Sequence, residues 1–140
     1  MKKSPNDHKH YLPLTLNNGL RVLLVNNNET KKSAAALTVN VGHFSDPTDR
    51  HGLAHFLEHM LFSGTEKYPD GSEYQKFISQ HGGHNNAWTA TEHTCFFLDI
   101  NYQFFEEALD RFSQFFTKPL LSDEFIQSER KNIDAEYKLK

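Results

Sequence analysis

The sequence predicts an α+β fold in which an antiparallel or mixed sheet packs against helices. Three observations predict it. Leucine- and valine-rich runs near the start are divided by an Asn-Gly turn signal. From about residue 52 the apolar residues recur at spacings of three and four, the period of a helix. Residues 85–100 then return to strand-like patterning before the helical period resumes.

The elements follow in order. Residues 1–10 are polar and read as a flexible segment. Leu12, Leu14 and Leu16 precede Asn17-Asn18-Gly19, and Leu20 to Val25 follows, which predicts a β-hairpin. Asn18-Gly19 suits a type I′ turn, because that turn needs positive φ at both central residues. Ala34 to Val41 is rich in small and β-branched residues and predicts a buried strand. Gly42 to Arg50 is a connecting loop with Asp46-Pro47 as its turn.

Leu53, Phe56, Leu57, Met60 and Leu61 predict a helix over 52–63, stopped by Gly64. After the turn Tyr68-Pro69-Asp70-Gly71, Ser72 is placed to cap a helix to about Gln80, which Gly82-Gly83 ends. Strands over 85–91 and 94–100 are joined near Glu92-His93. Residues 102–117 form an amphipathic helix with Phe105, Ala108, Leu109, Phe112 and Phe116 on one stripe, broken by Pro119. Ser122 caps a last helix, with Asp123 and Glu124 at its positive end.

Composition excludes some classes. A net charge of −3 carries no basic footprint for nucleic acid. No run approaches the ~20 apolar residues of a membrane span. A single cysteine, Cys95, rules out an internal disulfide framework and reads as a small buried thiol. The basic N-terminus has no apolar run behind it, so it does not read as a signal peptide. A cytoplasmic setting and, in a bacterium, a periplasmic one both suit it.

Nine histidines make spacing the deciding feature. The run His51 to Met60 contains His55-Phe56-Leu57-Glu58-His59. At ~100° per residue, His55 and His59 lie about 40° apart around a helix, so both imidazoles reach one metal. Glu58 lies about 60° to the other side of His55 and borders the same site. This is the inverted order of the commoner His-Glu-x-x-His motif. Two neutral imidazoles suit Zn²⁺ and leave room for a third protein ligand and a water, whose pKa the metal lowers toward ~7. Glu58, beside that water, is placed to take its proton. The third ligand must come from elsewhere, and the last helix offers Glu129 and Glu136, seven residues apart and on one face. One could bind the metal while the other hydrogen-bonds a ligand histidine.

With these residues in view, the chain resembles the insulinase/pitrilysin family of inverted-motif zinc peptidases. The resemblance rests on His51 to Met60, on Ser128-Glu129-Arg130-Lys131-Asn132-Ile133-Asp134-Ala135-Glu136, and on His81 to Thr89 with Glu92-His93-Thr94. It implies a zinc endopeptidase with one Zn²⁺ per chain, held by His55, His59 and Glu136. Glu129 supports a ligand, and Glu58 is the base that activates the zinc-bound water. It implies peptide substrates that add as a further strand beside Asn86, Ala87, Trp88 and Thr89. Family members run to several hundred residues in repeated α+β domains that close around the substrate. By that measure residues 11–140 are the N-terminal part of the first domain of a clamshell peptidase. A truncated sheet edge would also be open to pairing with a second copy.

Other readings compete. The motif could be a surface cluster on an amphipathic helix, and Glu136 alone a solvated helix residue. The chain could serve a non-catalytic, peptide-binding scaffold, or be a zinc-binding fragment without activity. His81 and His84 could form a second metal site, though a loop role beside the substrate strand suits them better. His8, His10, His43 and His51 read as solvent-facing or local hydrogen-bond partners. Trp88 could pack inward or flank a substrate side chain.

Overall fold

The computed structural model describes residues 3–138. They form two units, one up to Lys31 and one from Lys32 onward.

The first unit is a hairpin of β1 (His10–Thr15) and β2 (Arg21–Asn26), antiparallel with His10 opposite Asn26. Its turn differs from the expected type I′. Gly19 has φ +86°, but neither Asn17 nor Asn18 has positive φ. The Gly19 N–H donates to Leu16 O (2.9 Å), and Leu16 N–H donates to Leu20 O (2.9 Å). This is a three-residue loop, a type I-like turn closed by one left-handed glycine. One extra loop residue moves the positive φ from the asparagine to the glycine alone. Ahead of the hairpin, Asp7 accepts from the Tyr11 hydroxyl (2.7 Å).

The second unit is built on a three-stranded antiparallel sheet of order β3-β5-β4. Its strands are β3 (Lys32–Val39), β4 (His84–Thr89) and β5 (Thr94–Asn101). Central β5 turns Phe96, Leu98 and Ile100 inward, each at most 3% exposed. Expected to be buried throughout, β3 instead alternates between half-buried and exposed positions. It lies at the sheet edge, and Ala35 and Leu37 are the residues that meet the core.

Four helices complete this unit: α1 (Leu53–Met60), α2 (Gly71–Gln80), α3 (Phe105–Thr117) and α4 (Asp123–Lys138). The core joins Tyr74 and Ile78 of α2 and Ala108, Phe112 and Phe115 of α3 to the inner face of β5. Leu109, expected on the inward stripe of α3, is 41% exposed. The rest of the predicted stripe holds: Ala108 and Phe112 are buried, Phe105 and Phe116 pack against the core, and Phe115 joins them. Asp70 caps α2, its carboxylate accepting from Ser72 N–H at 2.9 Å, where Ser72 itself had been expected to cap. Gly83 follows α2 so closely against β5 that a Cβ would lie 2.2 Å from Asp99 O. This contact seats the start of β4 beside β5. Among the described residues no helix is long and apolar enough to cross a membrane.

Candidate metal centre

The site is built where α1 meets α4 and the edge strand β4. Helix α1 has the apolar period to pack one face, and it buries Ala54, Glu58 and Met60. Its leading residue position, Gly52, is left-handed at φ +90° and brings no capping side chain. The cap comes from Asp46 in the preceding loop. One Asp46 oxygen accepts from Gly52 N–H (2.7 Å) and the other from Ala54 N–H (2.8 Å). The Asp46 side chain is only 3% exposed. That burial works to raise its pKa, but the two N–H bonds, with His43 and His51 nearby, hold the carboxyl below the usual range.

One turn further along, His55 and His59 project to the same side, as their spacing predicts. Their Nε2 atoms are 3.2 Å apart. Glu136 Oε2 of α4 lies 3.7 Å from His55 Nε2 and 3.9 Å from His59 Nε2. Among the described residues these three form the one group of histidine, cysteine or acidic side chains whose ligand atoms converge, all within 4.8 Å of one another. Ligand atoms about 2.0–2.1 Å from a tetrahedral Zn²⁺ sit about 3.3–3.4 Å apart. The histidine pair matches that spacing and the two distances to Glu136 are longer by up to about 0.6 Å, so two nitrogen donors and one oxygen donor of the right kind converge on one point.

Glu129 lies one level behind. Its Oε2 is 3.2 Å from His59 Nδ1, and its Oε1 accepts from the Asn132 amide (2.9 Å). A proton on Nδ1 donated to Glu129 leaves the lone pair of His59 Nε2 facing the cluster. Glu58 stands apart from the triangle. It is 8% exposed, and its Oε2 accepts from Thr89 Oγ1 at 2.5 Å. Thr89 thus turns toward the carboxylate of α1.

Strand β4 forms an edge of the sheet, and it walls the cleft. One arm of the cleft, toward the end of β4, includes His43, His51, Trp88 and Thr89. The other, toward its start, includes Ser72, Gln75, Asn85 and Asn86. Both arms share His55, Glu58, Ala87 and Glu136, so the metal-ready cluster sits at their junction. Trp88 is 47% exposed and tilts against Phe97, with ring centroids 5.6 Å apart.

The other histidines fall outside the cluster. His81 Nδ1–H donates to Phe77 O (2.7 Å), and its ring stacks on Phe104 at 3.8 Å. His84 faces Asp99 at 3.4 Å. Neither joins a converging group of three, so the second-metal alternative gains no geometry among the described residues. Asp46 was missed by sequence reasoning, which took it for a turn residue. The available signal was an uncapped Gly52 at the head of a metal-spaced helix.

The family model described as Insulinase (Peptidase family M16) matches residues 21–139. The chain is 50% identical over 134 residues to insulin-degrading enzyme-like 1, peroxisomal, of Arabidopsis thaliana, covering 96% of this chain and 14% of that protein. It is 47% identical over 135 residues to the insulin-degrading enzyme of Homo sapiens, covering 96% of this chain and 13% of that protein. The crystal structure of pitrilysin superposes with a TM-score of 0.93 at 38% identity, over 99% of this chain and 15% of that one. The chain therefore spans about one-seventh of the length of these relatives.

Proposed function

The chain belongs to the insulinase family of peptidases, peptidase family M16, and from that premise we propose that it carries the zinc centre of an endopeptidase. In this reading His55, His59 and Glu136 hold one Zn²⁺, Glu129 orients His59, and Glu58 is the general base. Residues 11–140 then form the N-terminal part of the catalytic domain. The observation that carries the reading is the triangle of His55, His59 and Glu136 atoms, converging on one point.

A bound Zn²⁺ would polarise the peptide carbonyl and acidify the attacking water. The chain's own residues do the rest. Glu58 takes a proton from the water and later delivers it to the leaving amine. Thr89 holds one oxygen of Glu58 and so fixes the rotation of the carboxylate before a peptide arrives. Strand β4 offers the backbone of an edge, to which an extended peptide adds as another strand along Asn86, Ala87, Trp88 and Thr89. That places the peptide across the junction of the two cleft arms, beside Glu58. Trp88, half-exposed on the same wall, gives an apolar surface to a side chain of that strand.

The test is Glu58→Gln in the intact protein, with zinc content measured in parallel. Peptide cleavage should fall by about 100- to 10,000-fold while zinc stays at one per chain. Cleavage that survives with zinc bound would remove Glu58 from the base role. A non-catalytic, peptide-binding role would need neither the base nor the metal set. A protein that retains no zinc after gentle purification would favour it.

A further inference from the structure

We propose that Asp46 is a positioning residue, a buried clamp that ties the metal-bearing helix α1 to the turn that ends the edge strand β4. The inference rests on the zinc reading above for its effect on the metal, but its geometry stands without it.

The clamp has two sides. On one, the Asp46 carboxylate holds Gly52 N–H and Ala54 N–H, at 2.7 and 2.8 Å. Ala54 immediately precedes His55, so the bond sets the position of the first proposed ligand. A left-handed glycine at the head of α1 supplies no cap of its own, so no other side chain does this work. On the other side, the segment leading to Asp46 is laced to the β4–β5 turn. His43 N–H donates to Ala90 O (3.0 Å), and Phe44 N–H donates to Thr91 O (2.8 Å). Gly42 lies so close to that turn that a Cβ would come within 2.3 Å of Ala90 O.

These bonds close a ring. Asp46 grips α1, α1 carries Glu58, Glu58 accepts from Thr89, Thr89 adjoins Ala90, and Ala90 accepts from the segment that ends in Asp46. Within such a ring, the spacing between the base and the peptide-binding edge is set at both ends. Loosening Asp46 frees α1 to shift against β4. α4 is joined to α1 through Glu129 and His59 and not through the ring, so it need not follow that shift, and the metal triangle then loses its alignment with Glu136.

The experiment uses Asp46→Ala and the milder Asp46→Asn, which keeps shape and one acceptor but loses the charge, together with Gly42→Ala on the opposite side. Zinc affinity is read by competition with a chromophoric chelator. Amide hydrogen exchange is read on the metal-free protein. We expect zinc binding about 10- to 100-fold weaker in Asp46→Ala, as for other residues that hold a ligand in place. Asp46→Asn should fall between it and the wild type. Exchange should rise together in the leading turn of α1 and in residues 90–93, and Gly42→Ala should raise it in the same two segments. In Asp46→Ala/Gly42→Ala the losses should not add, since both break one ring. Exchange confined to residues 52–54, with zinc affinity unchanged in Asp46→Asn, would overturn the proposal and leave a plain helix cap. A wild-type protein that binds no zinc would overturn the metal reading instead, and the exchange pattern would still decide the clamp.

Discussion

Thr89 Oγ1 donates to Glu58 Oε2 at 2.5 Å, so the proposed base is held by the same edge strand that is proposed to receive the peptide. The pair joins two functions that a linear sequence keeps 31 residues apart. It also yields a clean substitution. Thr89→Val keeps the volume and β-branching but removes the donor. Glu58 is 8% exposed, and its carboxylate then loses the Thr89 hydroxyl as a partner. The bond that fixes the rotation of the carboxylate is lost, and kcat should fall by roughly 10- to 100-fold. Zinc content should be unchanged, and Thr89→Ser should restore most of the rate. Steady-state kinetics with elemental analysis checks both.

Glu129 gives a second prediction. It reaches His59 Nδ1 at 3.2 Å with its side chain 15% exposed. Glu129→Ala should weaken zinc binding by about 10- to 100-fold, since the ring of His59 loses both its orientation and its tautomer control. Glu129→Gln keeps an acceptor and should lose less. Glu136→Ala, which removes a proposed ligand outright, should lose more than either. Chelator competition ranks the three, and an order with Glu129→Ala as the most damaging would exchange the roles of the two glutamates.

How far the sequence could lead is visible in these same residues. The four-residue spacing of His55 and His59 is a local property of a helix, and it was readable directly. The pairing of Glu129 with Glu136 on one face was readable too, but which of them faces the metal depends on how α4 docks on α1. Spacing alone left that open. Asp46 is harder to read as a cap, because it reaches forward past residues 47–51 to Gly52 and Ala54, from a segment seated by Gly42 on the β4–β5 turn. The hairpin shows the same limit on a smaller scale. Asn18-Gly19 announced a turn, but one residue of loop length decided where the positive φ fell.

Acid should act through Asp46. Its carboxyl is held below the ordinary 3.8 in the folded state. A depressed folded pKa means stability that is fully present above the unfolded value and is lost as pH falls through the folded one. Metal-free wild type should therefore exceed Asp46→Asn in Tm at pH 5–7. The margin should shrink below about pH 4, where the unfolded carboxylate begins to take up its proton. Thermal melts of both proteins across that range check the sign. A margin that grows on acidification would mean that Asp46 is not held ionised by the Gly52 and Ala54 N–H groups.

The core offers a control that separates folding from chemistry. Ile78 is 0% exposed and lies in α2 against β5, away from the cluster of His55, His59 and Glu136. Ile78→Ala removes buried methyl groups and leaves a cavity among aromatic side chains that cannot easily collapse, which costs about 2–5 kcal/mol. Gly83 bears on the outcome, because a Cβ there would lie 2.9 Å from Ile78 Cγ2 as well as against the β5 backbone. Trimming Ile78 relieves only the first of those contacts, so Gly83→Ala should remain destabilising in the Ile78→Ala background. Denaturant melts of the two single variants and the double variant check this. Zinc affinity of the folded Ile78→Ala fraction should match wild type, in contrast to Asp46→Asn. That difference between two destabilised proteins distinguishes a residue that merely supports the fold from one that sets the metal helix against its strand.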